Sequence, residues 1–238
     1  MSIKDLSSDK VILLSLIGNS LEVTLQHPLN VLKNYKQSCV THSYKFNCSF
    51  KNLYRGYFFN FYNVNSVSLI QYYSYHFLYK YTKNDFFSSL SSGLLGGLLA
   101  SPSEFYIINK NNESLLQNIK KNKLKNIYKY GLKNCLIREG IYTTCLFTVT
   151  PRLEHFINKD FSYGNIISPV ISGITATFLS HPFDTIKTNQ QKNYHNIIKD
   201  HQISLKNSYK GFGCRSFRIT TTYFILNETN KFFIKNYF

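Results

Sequence analysis

The sequence predicts an all-α membrane protein, with six transmembrane helices in three pseudo-symmetric repeats around a central cavity. Three observations carry this. First, a proline-centred pattern occurs three times. His181-Pro182-Phe183-Asp184 is followed by Lys187 and Gln191, and His27-Pro28-Leu29-Asn30 by Lys33 and Gln37. Ser101-Pro102-Ser103-Glu104 is followed by Ile107 and Asn111, and the three prolines stand 74 and 80 residues apart. A repeat of this period governs how every other feature is read. Second, the chain divides into six mostly apolar runs of about 25 residues, where roughly 20 suffice to cross a bilayer. Third, small residues precede each proline: Gly18 and Ser20, then Gly93, Gly96 and Gly97, then Gly173 and Ala176. Small residues let membrane helices approach closely.

In chain order, residues 10–37 form the first run, turning polar after Pro28, and 34–52 read as loop with a short surface helix. Leu53-Tyr54-Arg55-Gly56 opens a long aromatic run to residue 80, and Lys83-Asn84-Asp85 is a short polar turn. Residues 86–111 form the third run and 112–126 a charged loop or surface helix. Residues 128–156 form the fourth run, closed by the polar turn Asn158-Lys159-Asp160. Residues 163–191 form the fifth, 192–208 are polar, and Tyr209-Lys210-Gly211 opens the sixth. The repeats are therefore residues 1–83, 84–158 and 159–238. Prolines inside such helices are tolerated where neighbours or a cavity satisfy the freed backbone groups.

Composition bounds the alternatives. The 238 residues carry a net charge of +16, with 19 tyrosines and 20 phenylalanines. Those numbers suit a nucleic-acid binder that stacks bases on aromatics as well as a membrane protein with aromatic belts and cationic loops. The mean hydropathy of −0.21 is low for a helical membrane protein, unless its polar residues face a cavity and its loops are polar. The Asn, Lys, Ile and Tyr content matches an AT-rich genome, so part of the charge is codon bias. Long apolar runs with glycine and proline are of no use to a nucleic-acid binder, and none is expected as a partner. Five cysteines with no C-x-x-C spacing argue against a disulfide framework or a zinc site. The scattered histidines lack metal spacing; His27 and His181 precede matching prolines and are expected to pack. Residues 1–10 hold two acids and no arginine, unlike a secretory or transit signal. No constellation points to an enzyme, a cofactor or a metal.

The residues quoted above resemble the mitochondrial carrier family. Its pattern is P-x-[DE]-x-x-[KR], often with Gln nine after the proline, followed by an aromatic-basic-glycine element. Tyr54-Arg55-Gly56 and Tyr209-Lys210-Gly211 match that element, and Tyr128-Lys129-Tyr130-Gly131 is a degenerate copy. The resemblance covers essentially the whole chain, with matrix loops shorter than usual. The small size and AT-rich composition are also similar to carrier-like proteins of giant DNA viruses. The resemblance implies a monomeric, multi-pass carrier of the mitochondrial inner membrane (the host's, if viral), with cardiolipin as a lipid partner.

It further implies a matrix gate. Odd-numbered helices kink at Pro28, Pro102 and Pro182 and converge. The acid of each then pairs with the base of the next. By that rule Asp184 meets Lys33, Glu104 meets Lys187, and Asn30 meets Ile107. Asn30 and Ile107 both depart from the family pattern and fall on one predicted pair. Removing one partner of a buried pair strands a charge, whereas removing both is nearly neutral. Gln37 and Gln191 match the family's bracing glutamines, with Asn111 a shorter stand-in. The opposite gate is eroded: residues 74–80 hold no acid, residues 148–153 only Arg152, and Glu228 and Lys231 stand about two positions out of register. Tyr72, Tyr73 and Tyr75 are expected to close that side by packing.

Family substrate contacts fall seven residues after each glycine. Here they are Asn63, Arg138 with Glu139 next to it, and Arg218 with Arg215 one turn earlier. Arginines at membrane depth are costly and default to function, and guanidinium forks match phosphate and carboxylate. The expected substrate is a small anion: ATP/ADP or deoxynucleotides such as dATP and dTTP, exchanged by alternating access. The alternatives are an amino acid or related zwitterion, suggested by Arg138-Glu139, and a degenerate, non-transporting membrane scaffold.

Overall fold

A computed structural model describes residues 6–38, 49–54, 56–109, 131–159, 163–192, 208–209 and 211–237, with 32–38, 50–51, 106–109 and 192 described as backbone alone. The described residues form helices and no strands. They are α1 (Ser8–Ser38), a single turn α2 (Phe50–Leu53), α3 (Tyr57–Thr82), α4 (Asp85–Asn109), α5 (Leu132–Thr144), a π-helical turn (Cys145–Val149), α6 (Thr150–Ile157), α7 (Gly164–Lys192) and α8 (Phe212–Tyr237). The backbone stays right-handed helical from α5 through α6, so these make one rod, and the chain has six rods among its described residues.

Local chemistry sets the ends. Gly56, Gly131 and Gly211 have φ of 81°, 85° and 84°, a left-handed conformation open to glycine at little cost. Each turns the chain into the next rod. Between α3 and α4, Lys83 is also left-handed and donates its N–H to Tyr79 O at 2.9 Å, while Asn84 Oδ1 accepts from the Phe87 N–H at 3.2 Å. These are an α3 stop and an α4 cap. Pro28, Pro102 and Pro182 lie inside α1, α4 and α7. Each removes an N–H from the helical ladder, which bends a helix. The π turn precedes Pro151: Thr150 donates both its N–H and its hydroxyl to Cys145 O. The widened ladder makes room where a proline ring would collide with the preceding turn.

The rods close a ring. Each packs chiefly on the rod before and after it, and α8 packs back on α1. Glycines set the closest approaches. A Cβ on Gly93 of α4 would lie 2.7 Å from Gly140 Cα of α5, and one on Gly173 of α7 2.7 Å from Thr220 Cα of α8. Hydroxyls tie neighbouring rods, as in Ser89–Thr148 at 2.8 Å and Thr150–Ser172 at 2.7 Å.

Polar and apolar residues are distributed inside out. In α7 the buried side includes Ser168, Ser172, Thr177 and Ser180, while Ile167, Val170, Ile171, Ile174 and Phe178 are exposed. In α1, Asn19, Glu22 and Gln26 are buried, with Leu13, Leu16, Leu21 and Leu25 exposed. Water-soluble proteins sort the other way. One apolar cluster does fill the interior, towards the end where α1 begins and α3 finishes: Val11, Leu14, Tyr72, Tyr75, Phe147 and Leu226 belong to it. Length is sufficient for crossing a membrane in all the expected segments, but among the described residues only the stretch Gly164–Gln191 is also apolar enough. The buried polar residues of the others include Asn19, Glu22 and Gln26 in α1, Ser88, Ser89 and Ser92 in α4, and Arg138 in α5.

Candidate functional site

A cavity of about 170 Å³ lies within the ring, lined by residues from all six rods. Helical spacing puts them there. Asp184, Lys187 and Gln191 recur at intervals of three and four and share one face of α7; all three are buried. Arg215, Arg218 and Thr222 do the same on α8, and Asn19, Glu22, Gln26 and Asn30 on α1. Asn60, Asn63, Val67 and Gln71 bring α3 to the same space.

A network of ion pairs spans it. Arg138 Nη1 lies 2.9 Å from Asp184 Oδ1, and its Nη2 lies 2.8 Å from Glu104 Oε1 and contacts Glu139 Oε1. Arg215 Nη1 lies 2.5 Å from Asp184 Oδ2, and its Nη2 donates to Ser180 Oγ at 3.0 Å. Lys187 Nζ pairs with Glu104 Oε2. Gln71 donates to Glu139 Oε2 at 2.9 Å. Arg218 donates to Asn30 Oδ1 at 3.1 Å, and Thr222 donates to Glu22 Oε1 at 2.9 Å. Cys135 Sγ sits 3.6 Å from Gly97 O, directly beneath Arg138. Among the lining side chains, Glu22, Glu104, Glu139 and Asp184 balance Arg138, Lys187, Arg215 and Arg218. Burying so many charges is tolerable only because each has an opposite or hydrogen-bonding partner.

The expected contact residues Asn63, Arg138, Glu139, Arg215 and Arg218 all line this cavity. So do Asp184, Glu104, Lys187 and Asn30 from the expected gate. The two sets are joined, because the long Arg138 and Arg215 side chains reach the acids two residues beyond Pro102 and Pro182. The Glu104–Lys187 pair is present. Asp184 bridges the two arginines. Lys33, Gln37 and Ile107 lie on helices, but their side chains are outside the description, as is the whole of Asn111. The expected Asp184–Lys33 and Asn30–Ile107 pairs thus fall outside the described residues, whereas Asn30 is engaged by Arg218. Gln191 Nε2 donates to Ser101 O at 3.4 Å, joining α7 to α4. Gly131 seats this face: a Cβ there would meet the Lys187 and Gln191 side chains at 3.2 Å.

The opposite end of the ring is filled by aromatic packing. Tyr72 and Tyr75 are buried against Phe147, with ring centroids 4.9 and 4.6 Å apart, while Tyr73 is 42% exposed and stacks on Phe77. Packing therefore involves two of the three expected tyrosines. Beyond them Lys231 pairs with Glu154, Asn227 donates to Glu154 Oε2 at 3.2 Å, and Asn230 donates to Tyr72 Oη at 3.4 Å. Glu154 is one residue past the segment in which the sequence motif looks for an acid. Glu22 and Gln71 line the cavity as well, and neither belongs to a sequence motif. Their signal is the three- and four-residue spacing of polar side chains along α1 and α3.

His27 and His181 occupy matching aromatic clusters. His27 lies 5.8 Å from Tyr54 and 5.5 Å from Tyr57; His181 lies 5.8 Å from Tyr209 and 5.9 Å from Phe212.

No family model matches the chain, and no curated protein matches it.

Proposed function

We propose that this chain is a carrier-type membrane transporter that exchanges nucleotides, ATP/ADP or deoxynucleotides such as dATP and dTTP, by alternating access. The observation that carries this reading is the inside-out ring: large apolar side chains outside, an ion-paired cavity within. An extensive apolar exterior needs lipid or a partner to cover it. A helix ring satisfies its own backbone in hydrocarbon and can hold polar groups away from lipid. That accounts for the low hydropathy of a six-span protein.

Threefold pseudosymmetry, with repeats at 1–83, 84–158 and 159–238, is supported by recurring contacts. The glycine nine residues before Pro102 meets the residue nine after Gly131, and the one nine before Pro182 meets the residue nine after Gly211. The paired histidine clusters and the three left-handed glycines repeat in the same register. The two barriers, ion pairs across the cavity and aromatic packing at the other end of the ring, are what an alternating-access protein must open in turn. Four cations in the cavity suit phosphate groups, and Asn60, Asn63 and Tyr142 offer a base its hydrogen bonds and stacking.

The balance of acids and bases, and the Gln71-held Glu139, favour a second reading: an amino acid or related zwitterion. The mitochondrial inner membrane, cardiolipin and the monomeric state follow from the family resemblance, and a ring closed within one chain needs no second copy. The test is membrane fractionation followed by uptake. Alkaline-carbonate-resistant association, and accumulation of labelled nucleotides rather than amino acids by reconstituted liposomes, are expected. Carbonate-extractable protein, or liposomes that take up amino acids alone, would reject the nucleotide carrier.

A further inference from the structure

A second cavity, of about 560 Å³, lies at the end of the ring filled by aromatic packing, and it shares no lining residue with the central one. Its floor is apolar. Tyr75, Leu146 and Phe147 are buried members of the aromatic cluster, and Ile234 packs against them. The π turn shapes this floor, since Leu146 and Phe147 both lie in it, and π turns recur at functional sites. One wall is polar: Glu154 of α6 is held by Lys231 and Asn227 of α8. The mouth is formed by His155, Asn158 and Lys159, all exposed. An apolar floor with a few converging polar groups, at this volume, is the composition of a small-molecule site. Charge separates it from the central cavity. There, four acids meet four bases; here the described lining holds one acid, Glu154, and two lysines. Lys231 answers Glu154 and also lies 3.6 Å from Glu228. Among the described residues no acid pairs with Lys159, so its ammonium is the uncompensated charge at the mouth of an apolar pocket.

We propose that this cavity is a separate binding site for a small aromatic monoanion, a carboxylate or sulfonate whose ring system lies on Phe147 and Tyr75 and whose charge faces Lys159. Complementarity in two parts decides the class. An inorganic anion leaves the floor bare, and a neutral arene leaves the ammonium unanswered. A polyphosphate brings more negative charge than one uncompensated lysine answers, and it faces Glu154 as well. The occupant touches α3, the α5–α6 rod and α8 at once. Their aromatic packing closes this end, so an occupant stabilises the closed form over the open one and slows exchange; differential affinity for two states is what shifts a conformational equilibrium. The site stands without the transport reading, and only its effect on exchange rests on it.

The experiment uses 2-naphthoate, with 2-naphthamide as its uncharged match and acetate as its charge without the fused rings. The chain has no tryptophan, so naphthalene fluorescence reads binding to the purified full-length protein after subtraction of protein-free micelles. At low salt 2-naphthoate should bind about fivefold tighter than 2-naphthamide, the upper range for an exposed ion pair, and added salt should close the gap by screening. Acetate should not displace it. Lys159→Gln, at an exposed position where substitutions are well tolerated, should remove the preference. 2-Naphthoate should also slow nucleotide exchange in liposomes of the unaltered protein more than in Lys159→Gln. Equal binding of 2-naphthoate and 2-naphthamide overturns the proposal. So does a preference that survives Lys159→Gln, which assigns the anion to the central arginines instead. Preferential binding that leaves the exchange rate unchanged overturns the claim that the occupant holds this end closed. If neither protein exchanges nucleotide, the transport reading fails, and the fluorescence comparison still decides the site.

Discussion

Asp184 Oδ1 accepts a hydrogen bond from Arg138 Nη1 at 2.9 Å, with both residues buried inside the ring. The acid follows Pro182 on α7, and the arginine follows Gly131 on α5. This one contact joins the proline element to the glycine element of the preceding repeat. Removing one partner of such a pair leaves an unpaired buried charge, at a cost of about 3–5 kcal/mol.

Asp184→Asn should therefore lower nucleotide exchange far more than Asn30→Ala. Asn30 is neutral and accepts one hydrogen bond from Arg218, whose net value is about 1 kcal/mol. Initial exchange rates in liposomes at matched protein content check this. Equal rates for the two variants would contradict the gating role of Asp184.

Gly131→Ala should destabilise the protein by about 1–2 kcal/mol, the cost of left-handed backbone for an L-residue. The added methyl also meets Lys187 and Gln191 at 3.2 Å. Gly213→Ala has nothing within 4 Å and should be neutral or slightly stabilising, because alanine favours helix. Thermal unfolding of the two variants in detergent separates them.

Gly93→Ala should cost about 1–3 kcal/mol through overpacking, since its Cβ would lie 2.6 Å from Glu139 O and 2.7 Å from Gly140 Cα. Because those atoms are backbone, α4 and α5 must separate. The expected outcome is a lowered unfolding temperature together with reduced exchange, as Arg138 and Glu139 shift with α5.

Glu154→Lys and Lys231→Glu should each impair exchange, and the double swap should restore most of it. The pair links α6 to α8 across the aromatic barrier, and Asn227 orients the acid. Exchange rates of the four proteins form a double-mutant cycle. Additive effects with no rescue would show that this pair does not bear on the barrier.

The helices were legible because their signals are local: apolar runs, prolines at fixed offsets and glycines whose left-handed φ the turns require. Arg138, Arg215, Arg218 and Asp184 were legible because charges in apolar runs are conspicuous. Their partners were less so. That Arg138 and Arg215 both reach Asp184 depends on side-chain reach across the ring, which no one-dimensional offset encodes. Glu22 and Gln71 lie in ordinary polar positions of α1 and α3, and only ring closure turns them inward. Hydropathy does not resolve the two faces: windows average the inward Asn65 and Gln71 of α3 with its outward Phe58, Tyr62 and Phe77.

Counter-exchange reports on transport through this cavity. Liposomes containing the protein, preloaded with unlabelled dATP, should accumulate external labelled dATP well above empty-loaded liposomes, and Arg138→Ala should abolish the difference. Uptake equal to that of protein-free liposomes, or uptake indifferent to Arg138→Ala, would contradict it.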